Sequence, residues 1–205
     1  MQKLELKKTL KTFYTAKSEP VFLKIPAMNF LMIDGTGNPN TAPEYAQAVQ
    51  ALYSIAYTLK FKVKKEAQID YPVMALEGLW WTPDMKTFSP ENKDEWLWTM
   101  MITVPGIITQ TLVTSACEEA THKKDLPALP RVRFEAFNEG LSAQLMHIGP
   151  YADEAENIKR LHEFIQAKGY SFDGLHQKHH EIYLGDPRKS APDKLKTIIR
   201  QPVKE

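Results

Sequence analysis

His179-His180-Glu181-Ile182-Tyr183-Leu184-Gly185-Asp186-Pro187 sets an acidic residue in the middle of what otherwise reads as a β-strand. Period-2 alternation sends Glu181 and Tyr183 to one face and Ile182 and Leu184 to the other, and Asp186-Pro187 supplies the turn that ends the strand. Burying an unpaired carboxylate is expensive, so Glu181 is either solvated or aimed into a cavity that uses it. An earlier stretch, Met74-Ala75-Leu76-Glu77-Gly78-Leu79-Trp80-Trp81, repeats the device with Glu77 as the lone acid in an apolar run.

Around these two strands the chain divides into similar halves. Val21 to Ile33 is β-like with a break at Pro26, and residues 34–40 form a turn. Thr41-Ala42-Pro43-Glu44 has capping-box spacing and opens a helix whose Tyr45, Val49, Leu52, Tyr53, Ala56 and Leu59 recur at helical intervals. Tyr71 to Trp81 and Trp96 to Val104 read as a hairpin, 107–122 as a second helix, and Lys123-Lys124-Asp125 with Pro127 and Pro130 as a linker. In the second half, strands at 131–137 and 141–148 flank Asn138-Glu139-Gly140. Asp153 with Glu156 caps a helix carrying Ile158, Leu161, His162 and Ile165, and Lys196 to Val203 is the last strand, after a one-turn helix at Pro192 to Leu195.

The shared order is strand, helix, strand, strand. Leu31-Met32-Ile33-Asp34-Gly35 matches Leu145-Met146-His147-Ile148-Gly149, and Glu181 falls in the strand that corresponds to that of Glu77. The expected fold is α+β: two fused modules, 21–125 and 131–205, related by pseudo-twofold symmetry in one domain (21–205), with residues 1–20 as an N-terminal arm. Their antiparallel sheet is expected to carry helices on one face and a ligand cleft on the other, with both glutamates facing that cleft.

The 205 residues are enough for a sizeable core, and 26 Lys+Arg against 25 Asp+Glu gives no global electrostatic case for nucleic acid or an anionic membrane. The arm is too short for a helix-turn-helix domain. Neither a signal peptide nor an apolar run of about eighteen residues appears, so the expected location is cytoplasmic, as a monomer or homodimer without membrane contact. The single Cys117 reads as a packed thiol.

The chemistry-bearing candidates follow from residue type and parity. A carboxylate in an aromatic cleft, with a phenol two residues on, suits general acid/base work, which makes Glu181 and Tyr183 the candidate catalytic pair. Parity groups Tyr71 and Trp81 with Glu77 as candidate ligand contacts; Trp98, and Tyr53 and Tyr57 of the first helix, join them as aromatic walls for a planar ligand. In His147-Ile148-Gly149-Pro150-Tyr151, His147 and Tyr151 are candidate donors at the rim. His176, His179 and His180 do not make a zinc set, because adjacent strand residues point apart and no Cys or second His pair completes a tetrahedron. No metal or organic cofactor is expected, and no phosphate loop, dinucleotide-binding fingerprint or nucleophile elbow is present.

LMIDGTGNPN (31–40), ALYSIAYTLKF (51–61), ALEGLWW (75–81), MMITVPG (100–106), HIGPY (147–151) and HHEIYLGDPRKSAPDKLKTIIRQPV (179–203) together resemble the GyrI-like small-molecule-binding family. That resemblance implies two fused strand-helix-strand-strand modules around a central cleft, with a key glutamate corresponding to Glu181 and, by internal symmetry, to Glu77. The chain is most similar to the stand-alone members, some of which are implicated as hydrolases that open the cyclopropane ring of alkylating antibiotics of the yatakemycin and duocarmycin type. Gyrase inhibitors and drug-sensing regulators share the fold, so the resemblance leaves three readings: a detoxifying hydrolase, a non-catalytic binder of amphipathic or cationic compounds, and a module acting on gyrase.

Overall fold

The structure, a computed structural model, describes residues 1–123 and 125–204; Lys124 of the expected linker and the terminal Glu205 lie outside the described residues. In chain order the strands are β1 (Gln2–Lys3), β2 (Val21–Ile25), β3 (Met28–Thr36), β4 (Ile69–Asp70), β5 (Leu76–Trp81), β6 (Leu97–Val104), β7 (Arg133–Phe137), β8 (Gly140–Ile148), β9 (His179–Tyr183) and β10 (Lys196–Pro202). The helices are α1 (Leu6–Thr9), α2 (Pro43–Glu66), α3 (Gln110–Lys123) and α4 (Ala155–Ala167).

Eight strands form one antiparallel sheet in the order β2-β8-β10-β9-β5-β6-β3-β7, and β1 pairs separately with β4. The two modules are therefore β3-α2-β5-β6 and β8-α4-β9-β10, joined where β9 meets β5. Each module also takes an outer strand from the far side. The β-like run from Val21 splits at Pro26 into β2, which pairs with β8, and β3, which pairs with β7. Such short connections, from β2 to β3 and from β7 to β8, draw the two ends of the sheet together, so it curls strongly.

Helix α2 has Pro43 at its start and no interior glycine or proline, and it buries Ala48, Ala51, Leu52, Ile55, Ala56, Leu59 and Val63. These pack on Leu31, Ile33, Trp98, Met100 and Ile102 of the sheet and, with α3, make the main core; burial of each large side chain contributes about 1.5–3 kcal/mol. Cys117 packs half-buried against this core. Neither expected capping box forms: Ala42 and Glu154 occupy the cap positions, with no side-chain cap bond at either. At α2, the turn at Asn38 substitutes, with Ala42 N donating to Asn38 O at 2.8 Å. At α4, Glu154 is left available for another purpose.

Gly35 is fixed by packing. A Cβ there would lie 2.0 Å from the ring of Trp98, which is fully buried and cannot withdraw. Gly35→Ala is expected to lower stability by about 1–3 kcal/mol or more through overpacking, read as a reduced denaturation midpoint at unchanged slope.

Helices and cleft share one face of the sheet, a correction to the expected arrangement. α2 packs over β3 and β6 and α4 over β8 and β10. Over the central β5–β9 pair only their starts come close, with the Tyr45 ring of α2 6.1 Å from that of Trp80, so a groove opens between the two helices. The opposite face is closed by the N-terminal arm, whose Leu6, Leu10, Phe13 and Tyr14 pack against Met74, Ile182 and Ile198.

Candidate functional site

The β5–β9 register decides what the groove contains. Leu76 lies opposite Tyr183, Gly78 opposite Glu181 and Trp80 opposite His179, so these six share the helical face. Glu77 lies opposite Ile182 and faces the arm. The module repeat therefore matches Glu181 with an odd offset, whereas Glu77 to Glu181 is even; a one-residue slip in a strand exchanges its faces. The expectation that both glutamates share the cleft is corrected on this ground.

Glu181 sits at the groove floor. Its Oε2 accepts from Tyr183 Oη at 2.6 Å and its Oε1 from His179 Nε2 at 3.0 Å, and Tyr183 Oη in turn accepts from Trp80 Nε1 at 3.0 Å. Gly78 makes that last bond possible: a Cβ there would come within 2.7 Å of Trp80 Nε1, so the indole lies over a bare backbone. Burial opposes ionisation of Glu181, but the bond and charge of His179 and the bond from Tyr183 outweigh it and hold the carboxyl below its usual range. Tyr183 moves the other way: burial, then the charge of Glu181, raise its phenol well above the usual value, so it donates and keeps its proton.

A second carboxyl faces the first. Glu154, at the start of α4, lines the groove, is only 4% exposed and has an Oε1 without a hydrogen-bond partner. Burial first, then the charge of Glu181, push it up to about 9. Two carboxyls in one desolvated site do not both ionise readily, and the donors His179 and Tyr183 on Glu181, with none on Glu154 Oε1, favour the charge on Glu181 and the proton on Glu154. Tyr45, Tyr53, Trp80, Trp96 and Tyr151 wall this floor within a groove of about 1790 Å³. Trp96 meets Trp80 edge-on at 5.5 Å, and Tyr151 meets Tyr183 edge-on at the same distance.

Of the residues singled out from sequence, Glu181, Tyr183, Tyr53, Tyr57 and Tyr151 line the groove. The others lie elsewhere. Tyr71 is buried between α2 and the sheet, with the Lys60 ammonium 5.9 Å from its ring. Trp98 is fully buried in the same core and donates from Nε1 to Gly37 O at 3.2 Å. Trp81 packs on the opposite face with Phe30, Met32 and Leu79, and Lys178 Nζ lies 3.5 Å from its ring centroid. His147 is buried: Nε2 donates to Pro150 O at 3.0 Å, which leaves Nδ1 to accept from the Asn157 amide at 2.9 Å. It thereby ties down the turn that carries Tyr151 and Glu154. Sequence reasoning misses Glu154 and Trp80, the first because Asp153 and Glu156 on either side of it take the capping role, and the second because parity sets Trp81, not Trp80, beside Glu77.

On the arm side Glu77 belongs to a closed polar network. Its Oε1 accepts from Tyr14 Oη at 2.5 Å and Thr103 Oγ1 at 3.1 Å, and its Oε2 from His180 Nε2 at 3.1 Å. His180 Nδ1 donates to Glu139 at 2.7 Å, and Arg200 donates to Glu139 at 2.9 Å, to Gln144 at 3.0 Å and to Phe13 O. Both imidazole nitrogens face carboxylates, so His180 is the imidazolium. Burial works against that charge, but Glu139 and Glu77 raise it to about 9, and Glu139, despite its own burial, is drawn down to about 2 by His180 and Arg200. Two carboxylates and two cations cancel within a buried layer that fastens the arm.

Residues 18–204 match the family described as the GyrI-like small molecule binding domain. The crystal structure of an uncharacterized conserved protein from Listeria innocua is 40% identical, covering 98% of this chain and 100% of that one, with a TM-score of 0.91. Two crystal structures of proteins described as hydrolases from the same organism are similar: one at 39% identity, 99% and 100% coverage and a TM-score of 0.88, the other at 38%, 98% and 100%, and 0.85. No curated protein matches. Among the described residues no helix is long and apolar enough to cross a membrane.

Proposed function

Because this chain belongs to the GyrI-like family of small-molecule-binding domains, we propose that its groove binds a flat aromatic compound and hydrolyses it, with Glu181 as base and Glu154 as acid. The observation that carries this reading is the facing pair of buried carboxyls at the floor of an aromatic groove, one held by His179 and Tyr183 and the other with a partnerless oxygen. The hydrolase descriptions of the similar Listeria innocua proteins support the reaction class.

The substrate proposed is a cyclopropane conjugated to a dienone, as in the cyclopropanoid antibiotics. Glu181 takes a proton from water as its oxygen attacks the less hindered ring carbon. The new C–O bond forms as a cyclopropane C–C bond breaks, and that electron pair passes into the dienone, which becomes a phenolate. Glu154 gives its proton to the phenolate oxygen, and the product is a ring-opened alcohol bearing a phenol. Tyr183 keeps Glu181 oriented, and the tryptophan and tyrosine walls exclude bulk water from the electrophile. Such a protein removes a toxic alkylating agent and needs no cofactor for the step.

Incubation with a cyclopropyl-dienone compound and mass spectrometry of the products tests the reading. A gain of one water is expected; a compound bound but recovered unchanged would mean a sequestering protein instead, with the acidic pair as counter-charge for amphipathic cations. The pH dependence is a second check. The working state needs Glu181 without its proton and Glu154 with it. The rate should therefore rise as Glu181 ionises, below the usual carboxylate range, stay level through neutrality, and fall as Glu154 deprotonates near pH 9.

A further inference from the structure

Glu154 enters the groove from a helix start without a side-chain cap: it occupies the cap position of α4 itself, and its carboxyl bonds none of the free N–H groups there. A buried acid placed this way needs its backbone held by other means. The hold comes from the sheet beneath. His147 of β8 pairs with Thr197 of β10, which pairs with Tyr183 of β9, so His147 stands on the groove face, where α4 packs over β8 and β10. It is buried, and it opens the stretch His147-Ile148-Gly149-Pro150-Tyr151 that leads into the start of α4.

That stretch is built as a clamp. Gly149 has a φ of +137°, a conformation that side chains rarely adopt, and a Cβ there would come within 3.4 Å of His147 Nε2. The imidazole is thereby free to reach Pro150 O, to which Nε2 donates at 3.0 Å. The same carbonyl accepts from Asp153 N at 3.0 Å, so it anchors the single turn Tyr151–Asp153 that delivers Glu154. The tautomer this needs is set from α4. Arg160 Nη1 donates to Asn157 Oδ1 at 2.9 Å, which aims the amide Nδ2 at His147 Nδ1, 2.9 Å away, and leaves the ring proton on Nε2. Donation runs one way, from Arg160 through Asn157 and His147 to Pro150 O, and ties β8, the turn and α4 into one loop.

We infer that His147, oriented by Asn157 and Arg160, is a positioning residue: by holding Pro150 O it keeps the first turn of α4 down on the sheet and the carboxyl of Glu154 facing Glu181. The inference rests on the acid role of Glu154 in the hydrolase reading. The titratable groups that face Glu154 are Glu181 and Tyr183 of β9, Tyr151 of its own turn and Lys93 of the loop before β6, and none of them belongs to the clamp.

Three variants test it. His147→Leu and Asn157→Leu break the clamp. Asn157→Asp is the restoring change, because a carboxylate accepts from Nδ1–H and the imidazolium so formed still donates from Nε2 to Pro150 O. The first measurement is the carboxyl titration of Glu154 by carbon-13 NMR, its signal identified as the one missing from Glu154→Gln. In the wild type it is expected near pH 9. In the leucine variants it should fall by about one unit or more, since a lifted turn admits water and separates the two carboxyls, and Asn157→Asp should bring it back. The second is turnover of a cyclopropyl-dienone: kcat of the leucine variants should drop roughly 10- to 100-fold with KM little changed, and the alkaline limb should move with the titration. Leucine variants that melt earlier but leave the Glu154 titration in place would make His147 merely structural and overturn the inference. So would a wild-type Glu154 that titrates in the ordinary carboxylate range near 4.3. Should His147→Leu fail to fold, Asn157→Leu, at a half-buried position on α4, decides. If the wild type turns over no cyclopropyl-dienone, the hydrolase reading fails by itself, and the titration alone decides the clamp.

Discussion

Glu181→Gln is expected to lower turnover of a cyclopropyl-dienone by roughly 10²–10⁴-fold while leaving the thermal midpoint close to that of the wild type. The amide still fills the space opposite Gly78, its oxygen still accepts from Tyr183, and its NH2 can donate to His179 Nε2 once that imidazole takes its other tautomer, so the strand has no reason to move. What disappears is the proton acceptor. Loss of the negative charge also removes the charge of Glu181 as a cause that holds the neighbouring carboxyl up, although burial, the largest cause, still favours its neutral form. Glu154→Gln is expected to have a smaller effect on rate, because water can protonate a phenolate, and to erase the fall near pH 9. Steady-state kinetics on both variants, with circular-dichroism melts as the control for folding, are the measurement. Rates like the wild type's in Glu181→Gln would remove that residue from the mechanism.

The second large effect is expected on stability. Glu139→Gln takes one carboxylate from a layer in which His180 and Arg200 are 1% exposed and Glu139 itself 2%. Breaking a buried pair on one side strands a charge and costs about 3–5 kcal/mol. For a chain of this size that corresponds to a fall in thermal midpoint of roughly 10 °C. The pH profile adds a signature. Glu139 is depressed to about 2, so its contribution is present above the unfolded carboxylate value of about 4.3 and is lost as pH falls toward 2. His180 is raised to about 9, so its contribution is complete below the unfolded value of about 6.5 and is lost as pH rises through 9. Wild-type stability should therefore weaken on both flanks, and Glu139→Gln should flatten both, since His180 without Glu139 has less reason to stay charged. Urea denaturation across that pH range reads this directly, and a variant as stable as the wild type would show that the layer is not a folding element.

Most of the fold was legible because hydrophobic period survives in a single sequence. The apolar positions of α2, the alternation in 179–184 and the recurrence of strand, helix, strand, strand all follow from local geometry. The break at Pro26 was legible too, but not its result, that β2 and β3 join opposite ends of the sheet. Partner choice by a strand depends on residues far away in the chain, and no local pattern records it. The same limit explains Trp80 and Trp81. Their opposite facing followed from parity, but which of the faces opens into the groove depended on where α2 and α4 leave the sheet uncovered.

The sequence by itself determined that Glu181 and Tyr183 share a face, because side-chain alternation is a property of one strand. It determined as well that an apolar helix covers each module. Only the tertiary structure decided that Glu77 turns its back on the groove and that the partner of Glu181 is Glu154. Those outcomes hang on a single residue of register between β5 and β9, and on the uncapped start of α4 lying over the centre of the sheet. A carboxyl becomes an acid or a base through the charges and the solvent it meets after folding, and Glu154 meets Glu181 only there.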